Sequence, residues 1–287
     1  MNAEILDLQT AQEKLPKRDP YGHKGNFGKV LLLCGSRGYT GAAWFAAMGA
    51  LRSGTGLVYL GVPESIYAIE ATKLNEPVIF PLPETDGKLG EKAIPKILTL
   101  LPRMQAVLIG CGLGQGEEVR LLTEQVLLNA DCPVVLDADG INLMNLHRDI
   151  LRRRKAPLIL TPHDGEFLRI GGSLSQNRMK SAMELATDLN AVVLLKGHET
   201  CITDGKRSYL NKTGNSGMAK GGSGDLLAGL ITGFLGQGMD CLTAAACGAF
   251  FHGAAGDLAA GELGEYGVLP SDLITFLPRL LKRDGME

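Results

Sequence analysis

The sequence predicts an α/β fold: a mostly parallel central sheet with helices on both faces, in three layers. Two observations carry this expectation. Short, wholly apolar runs alternate with amphipathic helical stretches over most of the 287 residues, and strands that read as continuous apolar runs are those buried on both faces. The tight-turn signal Asp204-Gly205 marks the place where neighbouring strands read as a hairpin rather than as crossover-connected.

In chain order, a polar lead-in (residues 1–22) precedes KVLLLC at 29–34, which reads as a buried strand that breaks at Gly35-Ser36. A helix follows over 41–53, then strands at 56–62 and 105–110, with the Pro- and Gly-interrupted segment 82–89 as a surface loop. Next come a helix at 117–129, strands at 133–136 and 157–160, a helix at 175–189 and a strand at 191–195. Residues 200–203 and 208–210 form the hairpin. From residue 223 the chain reads as helical: 224–235, a small-residue helix around 244–260, and a last helix after Pro270. No linker is polar or long enough to mark a boundary, so 1–287 is expected to be a single domain.

Composition narrows the function. The chain is 45% hydrophobic with a net charge of -2, which leaves no electrostatic footprint for nucleic acid or an anionic membrane. Its one basic cluster, residues 152–155, reads as solvated surface. Six cysteines have no CxxC spacing, and several sit in apolar runs as small hydrophobes, as expected of a reduced, cytoplasmic protein. The first twenty residues offer no apolar targeting segment, and no run reaches the length of a membrane span.

The stretch NKTGNSGMAKGGSGDLLAG (211–229) carries the chemistry. Lys220-Gly221-Gly222-Ser223-Gly224-Asp225 places three glycines in four positions ahead of Leu226, Leu227, Leu230 and Ile231 at helical spacing. Backbone N–H groups at such a helix start favour an anion, and a phosphate is the expected guest. Asp225 would be repelled by that guest unless it accepts a proton from a substrate hydroxyl; the alternative is an acidic first-turn residue with Ser223 as N-cap.

Ligands of parallel sheets collect outside the carboxyl ends of the strands, and several candidates lie there. GCGLG (110–114) lacks the third glycine of a dinucleotide fingerprint, so it is either a tight strand-to-helix turn or a glycine-lined wall. Asp137 and Asp139 could hold a cation, cap the next helix, or form a turn. His163 and Glu166 share one helical face; they could orient a hydrated magnesium ion and contact substrate, or His163 could be a cap. Lys196 ends a strand, facing either a phosphate or solvent. No HxxxH spacing supports a protein-built zinc site, and there is no GxSxG elbow.

Taken together and in this order, HKGNFGKVLLLCGS (23–36), GAAWFAAMGALRSGTGLV (41–58), LDADGIN (136–142), LTPHDGEF (160–167), LLKGHET (194–200) and the 211–229 stretch resemble the ADP-dependent NAD(P)H-hydrate dehydratases of the ribokinase-like superfamily. The resemblance runs from about His23 to the last helix. It implies that ADP phosphorylates the hydroxyl of the S epimer of hydrated NADH or NADPH, giving AMP. Loss of phosphate then regenerates the dihydronicotinamide.

By this resemblance Asp225 is the catalytic base. Ala42 or Ala43, Gly114, His163 and Asp225 contact the hydrate. Lys196, Gly197, His198, Glu199, Thr200 and the Gly221, Gly222, Ser223, Gly224 run hold the nucleotide. His163-Asp164-Gly165-Glu166 replaces the N-x-x-E segment that organises magnesium in related kinases, so Glu166 is expected to meet Mg2+ through water. Gly140 departs from the larger residue expected in the DAD segment, which leaves the local packing open. Because only about two dozen residues precede HKG, the resemblance also implies coupling to a separate NAD(P)H-hydrate epimerase. A homo-oligomer is expected, a tetramer among the options, with the 244–260 helix open as core or interface. The competing readings are a ribokinase-like small-molecule kinase of the hydroxyethylthiazole or hydroxymethylpyrimidine type, and a non-catalytic nucleotide sensor.

Overall fold

Apolar runs such as 29–34 can bury both faces only inside a covered sheet, and that is where they lie. The structure, a computed structural model, describes residues 3–282; the ends of the expected 1–287 domain fall outside the described residues. Its strands are β1 (Lys29–Leu33), β2 (Leu57–Pro63), β3 (Val78–Leu82), β4 (Glu84–Thr85), β5 (Lys88–Leu89), β6 (Ala106–Ile109), β7 (Val134–Leu136), β8 (Leu158–Leu160), β9 (Val192–Leu195), β10 (Thr200–Thr203) and β11 (Ser208–Asn211). Its helices are α1 (Leu8–Glu13), α2 (Thr40–Arg52), α3 (Glu64–Lys73), α4 (Ile94–Leu100), α5 (Glu117–Asn129), α6 (Asp139–Leu143), α7 (Arg148–Arg153), α8 (Asp164–Arg169), α9 (Arg178–Leu189), α10 (Ser223–Gly236), α11 (Cys241–Leu263) and α12 (Pro270–Leu281).

Nine strands form one sheet in the order β11-β10-β9-β8-β7-β6-β1-β2-β3. Every pairing from β3 to β9 is parallel, and only β10 and β11 run antiparallel to their neighbours. Alternate residues of each strand feed opposite cores. Val30, Leu32, Ala106 and Leu108 pack with α2, α10, α11 and α12, whereas Leu31, Leu33, Val107 and Ile109 pack with α4, α5, α7, α8 and α9. The expected three layers are therefore present. Strand order reverses at β1, whose neighbours β2 and β6 lead in opposite directions, and such a switch point opens a crevice at the strand carboxyl ends.

Several boundaries differ from expectation for local reasons. The segment 82–89 is not a plain loop: β4 and β5 pair as a small hairpin within it. The helix expected from 175 begins at Arg178 because the Asn177 side chain caps it, accepting from Lys180 N–H. The polar lead-in contains α1, and Glu4 pairs with the β11 edge through Glu4 N–H to Ser208 O at 2.9 Å. In the basic cluster Arg152, Arg153 and Lys155 are exposed, but Arg154 is half-buried and donates to Leu151, Leu189 and Asn190 carbonyls. Gly140 is required by packing: a Cβ there would lie 2.6 Å from Leu136 Cδ1 and 2.8 Å from Ile109 O.

All residues of α10 from Leu226 to Gly236 are buried, as expected of a helix apolar on every side. It crosses α2 at backbone contact, since a Cβ on Gly229 would collide with Ala46 O and one on Gly49 with Leu226 O. This packing fixes the start of α10 against the sheet ends.

Candidate active site

The glycine run ahead of α10 folds as the sequence demands. Gly222 has φ +98 and is the N-cap residue; a side chain there would be strained and would strike the Phe45 ring. Ser223 is therefore the first helical residue and not the cap, correcting that alternative. Gly221 has open space around it, and a Cβ on Gly224 would stand 3.5 Å from Lys196 Nζ. Ser223 N–H is taken by Lys220 O at 3.3 Å, and the first turn beyond it stands a short gap from the Lys196 cation, an arrangement suited to phosphate.

These groups open onto a cavity of about 740 Å³. It unites Lys196, Gly197, His198, Thr200, Gly221, Ser223 and Gly224 of the sequence-expected nucleotide residues, together with His163. Glu199 and Gly222 are not among its walls; Glu199 instead pairs with Lys212 at 3.6 Å. The remaining walls come from the 211–220 segment and from Leu227, Ala249, His252 and Gly253. That segment is strapped in place. Asp257 accepts from Gly214 N–H and Asn215 Nδ2, both at 2.9 Å, while Lys220 Nζ donates to the carbonyls of Tyr266 and Val268.

Lys196 is not a solvated strand end. Its Nζ lies 3.0 Å from Asp137 Oδ1 and 3.6 Å from Glu166 Oε2. Burial alone would lower its pKa, but the two carboxylates outweigh burial and raise it, so the lysine stays charged. Asp137 is buried and also accepts from Thr161 Oγ1 at 2.7 Å. Its backbone makes the expected turn, Gly140 N–H donating to Asp137 O at 2.9 Å, but its side chain serves the charge network and caps nothing. Between Asp137 and Asp139, Ala138 is held at φ 47 and ψ -116, a strained conformation for a residue with a Cβ.

His163 caps α8, its Nδ1 accepting from Gly165 N–H at 3.0 Å, while Glu166 Oε2 accepts from His163 N–H at 2.9 Å. The capping reading of His163 is thus realised, and its exposed ring still borders the cavity.

Asp225 stands beside this cavity and turns toward the β1/β6 crevice. One oxygen each of Asp225 and Asp137 and the Cys111 Sγ lie within 4.8 Å of one another. Burial, and then the Asp137 charge, push Asp225 up to about 6, against the opposing pull of Cys111 and Lys196. The Cys111 thiol is itself raised well above its ordinary value by its contact with Cys34 and by burial. It remains a thiol and donates toward Asp137 Oδ2 at 3.5 Å, so the trio is a hydrogen-bonded cluster and not a thiolate metal site.

The crevice wall holds the other expected residues. Ser36 Oγ donates to Gly112 O at 2.8 Å, and Gly114 N–H donates to Asp139 Oδ2 at 2.8 Å. A Cβ on Gly112 would press on Ala42, at 2.7 Å from its Cβ. Ala42 retains exposed surface; Ala43 is fully buried in the core, so of the pair only Ala42 can touch a ligand. Sequence reasoning missed Cys111, the Asp137–Lys196–Glu166 network, and His252, whose Nε2 is 3.3 Å from Ser223 Oγ.

Known proteins resemble this chain over nearly its whole length. The family model described as NAD(P)H-hydrate dehydratase matches residues 30–279. The ADP-dependent (S)-NAD(P)H-hydrate dehydratase of Bacillus subtilis is 38% identical over 289 residues, covering 99% of each chain. The bifunctional NAD(P)H-hydrate repair enzyme Nnr of Moorella thermoacetica is 40% identical over 98% of this chain but 54% of its own length; the chain spans about half the length of several curated relatives it matches. A crystal structure of the B. subtilis ADP/ATP-dependent NAD(P)H-hydrate dehydratase, co-crystallised with ATP/Mg2+, superimposes with a TM-score of 0.82 at 35% identity over 98% of both chains. For the fold alone, hydroxyethylthiazole kinase from Pyrococcus horikoshii matches with a TM-score of 0.61 at 19% identity, over 95% of this chain and 91% of its own. The ribokinase-like expectation is met.

Proposed function

Because this chain belongs to the NAD(P)H-hydrate dehydratase family, we propose that it regenerates NADH or NADPH from the S epimer of the hydrated cofactor, consuming ADP and releasing AMP and phosphate. The observation that carries the reading beyond family membership is the place of Asp225, within the first turn of α10 and clustered with Asp137 and Cys111 within 4.8 Å, where burial lifts its pKa to about 6. A group that only bound nucleotide would gain nothing from a negative charge there.

Asp225 accepts the proton of the hydrate hydroxyl as that oxygen attacks the β-phosphorus of ADP, and AMP departs with the bonding electrons. The N–H groups of the Gly221 to Gly224 turn and the Lys196 ammonium hold the charge of the moving phosphoryl group. The phosphorylated carbon then loses phosphate with the C–O electron pair, pushed by the ring nitrogen lone pair. Loss of a proton from the adjacent carbon restores the dihydropyridine. Ala42, Gly114 and His163 line the hydrate's side of Asp225; Gly197, His198 and Thr200 line the nucleotide's side, with Glu199 and Gly222 supporting that loop.

Hard carboxylate oxygens suit magnesium, and Glu166 lies beside the phosphate cradle, 3.6 Å from Lys196 Nζ. Its Oε2 is committed to His163 N–H and faces Lys196, which fits an ion held through water and not directly. When bound, Mg2+ would neutralise phosphate charge.

We read the chain as one ribokinase-like unit acting in the cytoplasm. All six cysteines are free, and no helix among the described residues is long and apolar enough to cross a membrane. Coupling to an NAD(P)H-hydrate epimerase follows from the chemistry, since a site for one epimer leaves the other unrepaired. A homo-oligomer, a tetramer among the options, is supported by the exposed Tyr67, Ile69 and Val78.

The test is a product assay with hydrated NADH and ADP. Return of dihydronicotinamide absorbance with equimolar AMP and phosphate is the expected result. Accumulation of a stable phosphorylated alcohol would convert the reading to a small-molecule kinase, and nucleotide binding without turnover would convert it to a sensor.

A further inference from the structure

Helix α11 places one buried imidazole, His252, against the first turn of α10. His252 Nε2 lies 3.3 Å from Ser223 Oγ, both residues are buried, and both border the nucleotide cavity. Ser223 is the first helical residue, so its hydroxyl sits among the N–H groups that face an anion. Two hydrogen-bond arrangements exist. If Ser223 donates to Nε2, its only hydrogen is spent and its lone pairs meet the phosphate. If the imidazole carries its hydrogen on Nε2, Oγ accepts and the hydroxyl hydrogen is free to donate to a phosphate oxygen. An anion at this helix start favours the second arrangement.

We infer that His252 is a positioning residue which, by donating from Nε2, holds the Ser223 hydroxyl as a hydrogen-bond donor to the phosphates of the nucleoside diphosphate. The surroundings keep the ring neutral: burial outweighs the opposing pull of a hydrogen bond with the Ser223 backbone and, assisted by the nearby Lys196 charge, lowers its pKa to about 4. His252 therefore adds direction to the cradle without adding a second cation beside Lys196. This deepens the dehydratase reading and rests on it for the identity of the nucleotide, but its readout is ADP affinity.

Four variants test it by calorimetric titration with ADP and by steady-state rates. Ser223→Ala and His252→Leu should each weaken ADP binding about tenfold, the scale of one hydrogen bond to a charged group. The double variant should bind ADP no more weakly than Ser223→Ala, because the histidine acts through the serine. His252→Gln, whose amide N–H reaches the Nε2 position, should restore affinity to within about threefold of wild type. Additive losses in the double variant, unchanged ADP affinity in His252→Leu, or failure of His252→Gln to restore affinity at an unchanged melting temperature would each overturn the inference. Should His252→Leu not fold, His252→Asn, too short to reach Ser223, takes its place, and equal ADP affinity in the Asn and Gln variants overturns it. Wild-type protein that binds ADP but does not dehydrate the substrate would count against the function and leave this test standing.

Discussion

The role proposed for Asp225 as the base and its burial in the fold oppose each other, and both are measurable. As a base it must be ionised, so kcat/KM should rise with pH through about 6 and level off above it. Asp225→Asn should lower turnover by about 10²-fold or more while ADP still binds; wild-type-like turnover would remove the base assignment. As a folded-state group, Asp225 holds its proton more tightly than in the unfolded chain, where its pKa is near 3.8. Stability is therefore lost as pH rises from about 4 to about 6, and the penalty is fully present at neutral pH. Asp225→Asn should make the protein more stable in urea at pH 7, by up to about 3 kcal/mol, with the gain vanishing below about pH 4. Lys196 pulls the same carboxyl the other way, so Lys196→Met should shift the acid limb of the pH profile upward as well as weaken ADP binding. The place of Asp225 at the start of α10 was legible because a glycine run and an acid in a first turn are neighbours in sequence. The Asp137–Lys196 pair was not: its members stand 59 residues apart and meet only because β7, β8 and β9 are adjacent. His252 was hidden for the same reason, 29 residues beyond Ser223 in a helix whose composition reads only as small and apolar.

Elements with strong patterns were read well, and those with mixed patterns were not. The helix at 117–129 has the bounds expected of it, because Val119, Leu122, Val126 and Leu127 trace one face. Helix α3 gave no such signal. Its buried positions are Ile66 and Glu70, so a carboxylate occupies the place where a second apolar residue would have completed the pattern, while Tyr67 and Ile69 face outward. Strand β3 carries Pro81 and is only partly buried, as an edge strand can be. The α2–α10 contact was also invisible in sequence, since glycines at 49 and 229 give no sign of which backbone they touch. It nevertheless fixes the site. Gly229→Ala should cost about 1–3 kcal/mol by overpacking against Ala46, measured by chemical denaturation. Gly222→Ala should be at least as damaging, combining a positive φ with collision against Phe45. Gly221→Ala, in open space at a permissive φ, should leave stability within about 0.5 kcal/mol of wild type. A large loss there would mean that the first turn of α10 is held differently.

At the scale of the whole molecule, the groups around the cavity and crevice come from nearly every part of the chain: Ser36 after β1, Gly114 after β6, Asp137 after β7, His163 before α8, Lys196 after β9, and His252 in α11. A ligand that touches so many strand ends stabilises the folded state against global unfolding. At a hundredfold excess over its dissociation constant, ADP should contribute about 2.7 kcal/mol, or about 5 °C in melting temperature. The distribution of that gain separates specific binding from a general salt effect. Amide exchange should slow at residues 196–200 and 211–225, where N–H groups border the cavity. It should be unchanged over 64–82, which sits at the far edge of the sheet beyond β2 and contributes no wall residue. Lys196→Met should abolish the local slowing along with most of the thermal gain. Uniform protection across the sheet, or protection at 64–82 equal to that at 211–225, would place the nucleotide elsewhere and dissolve the link between the α10 start and the chemistry.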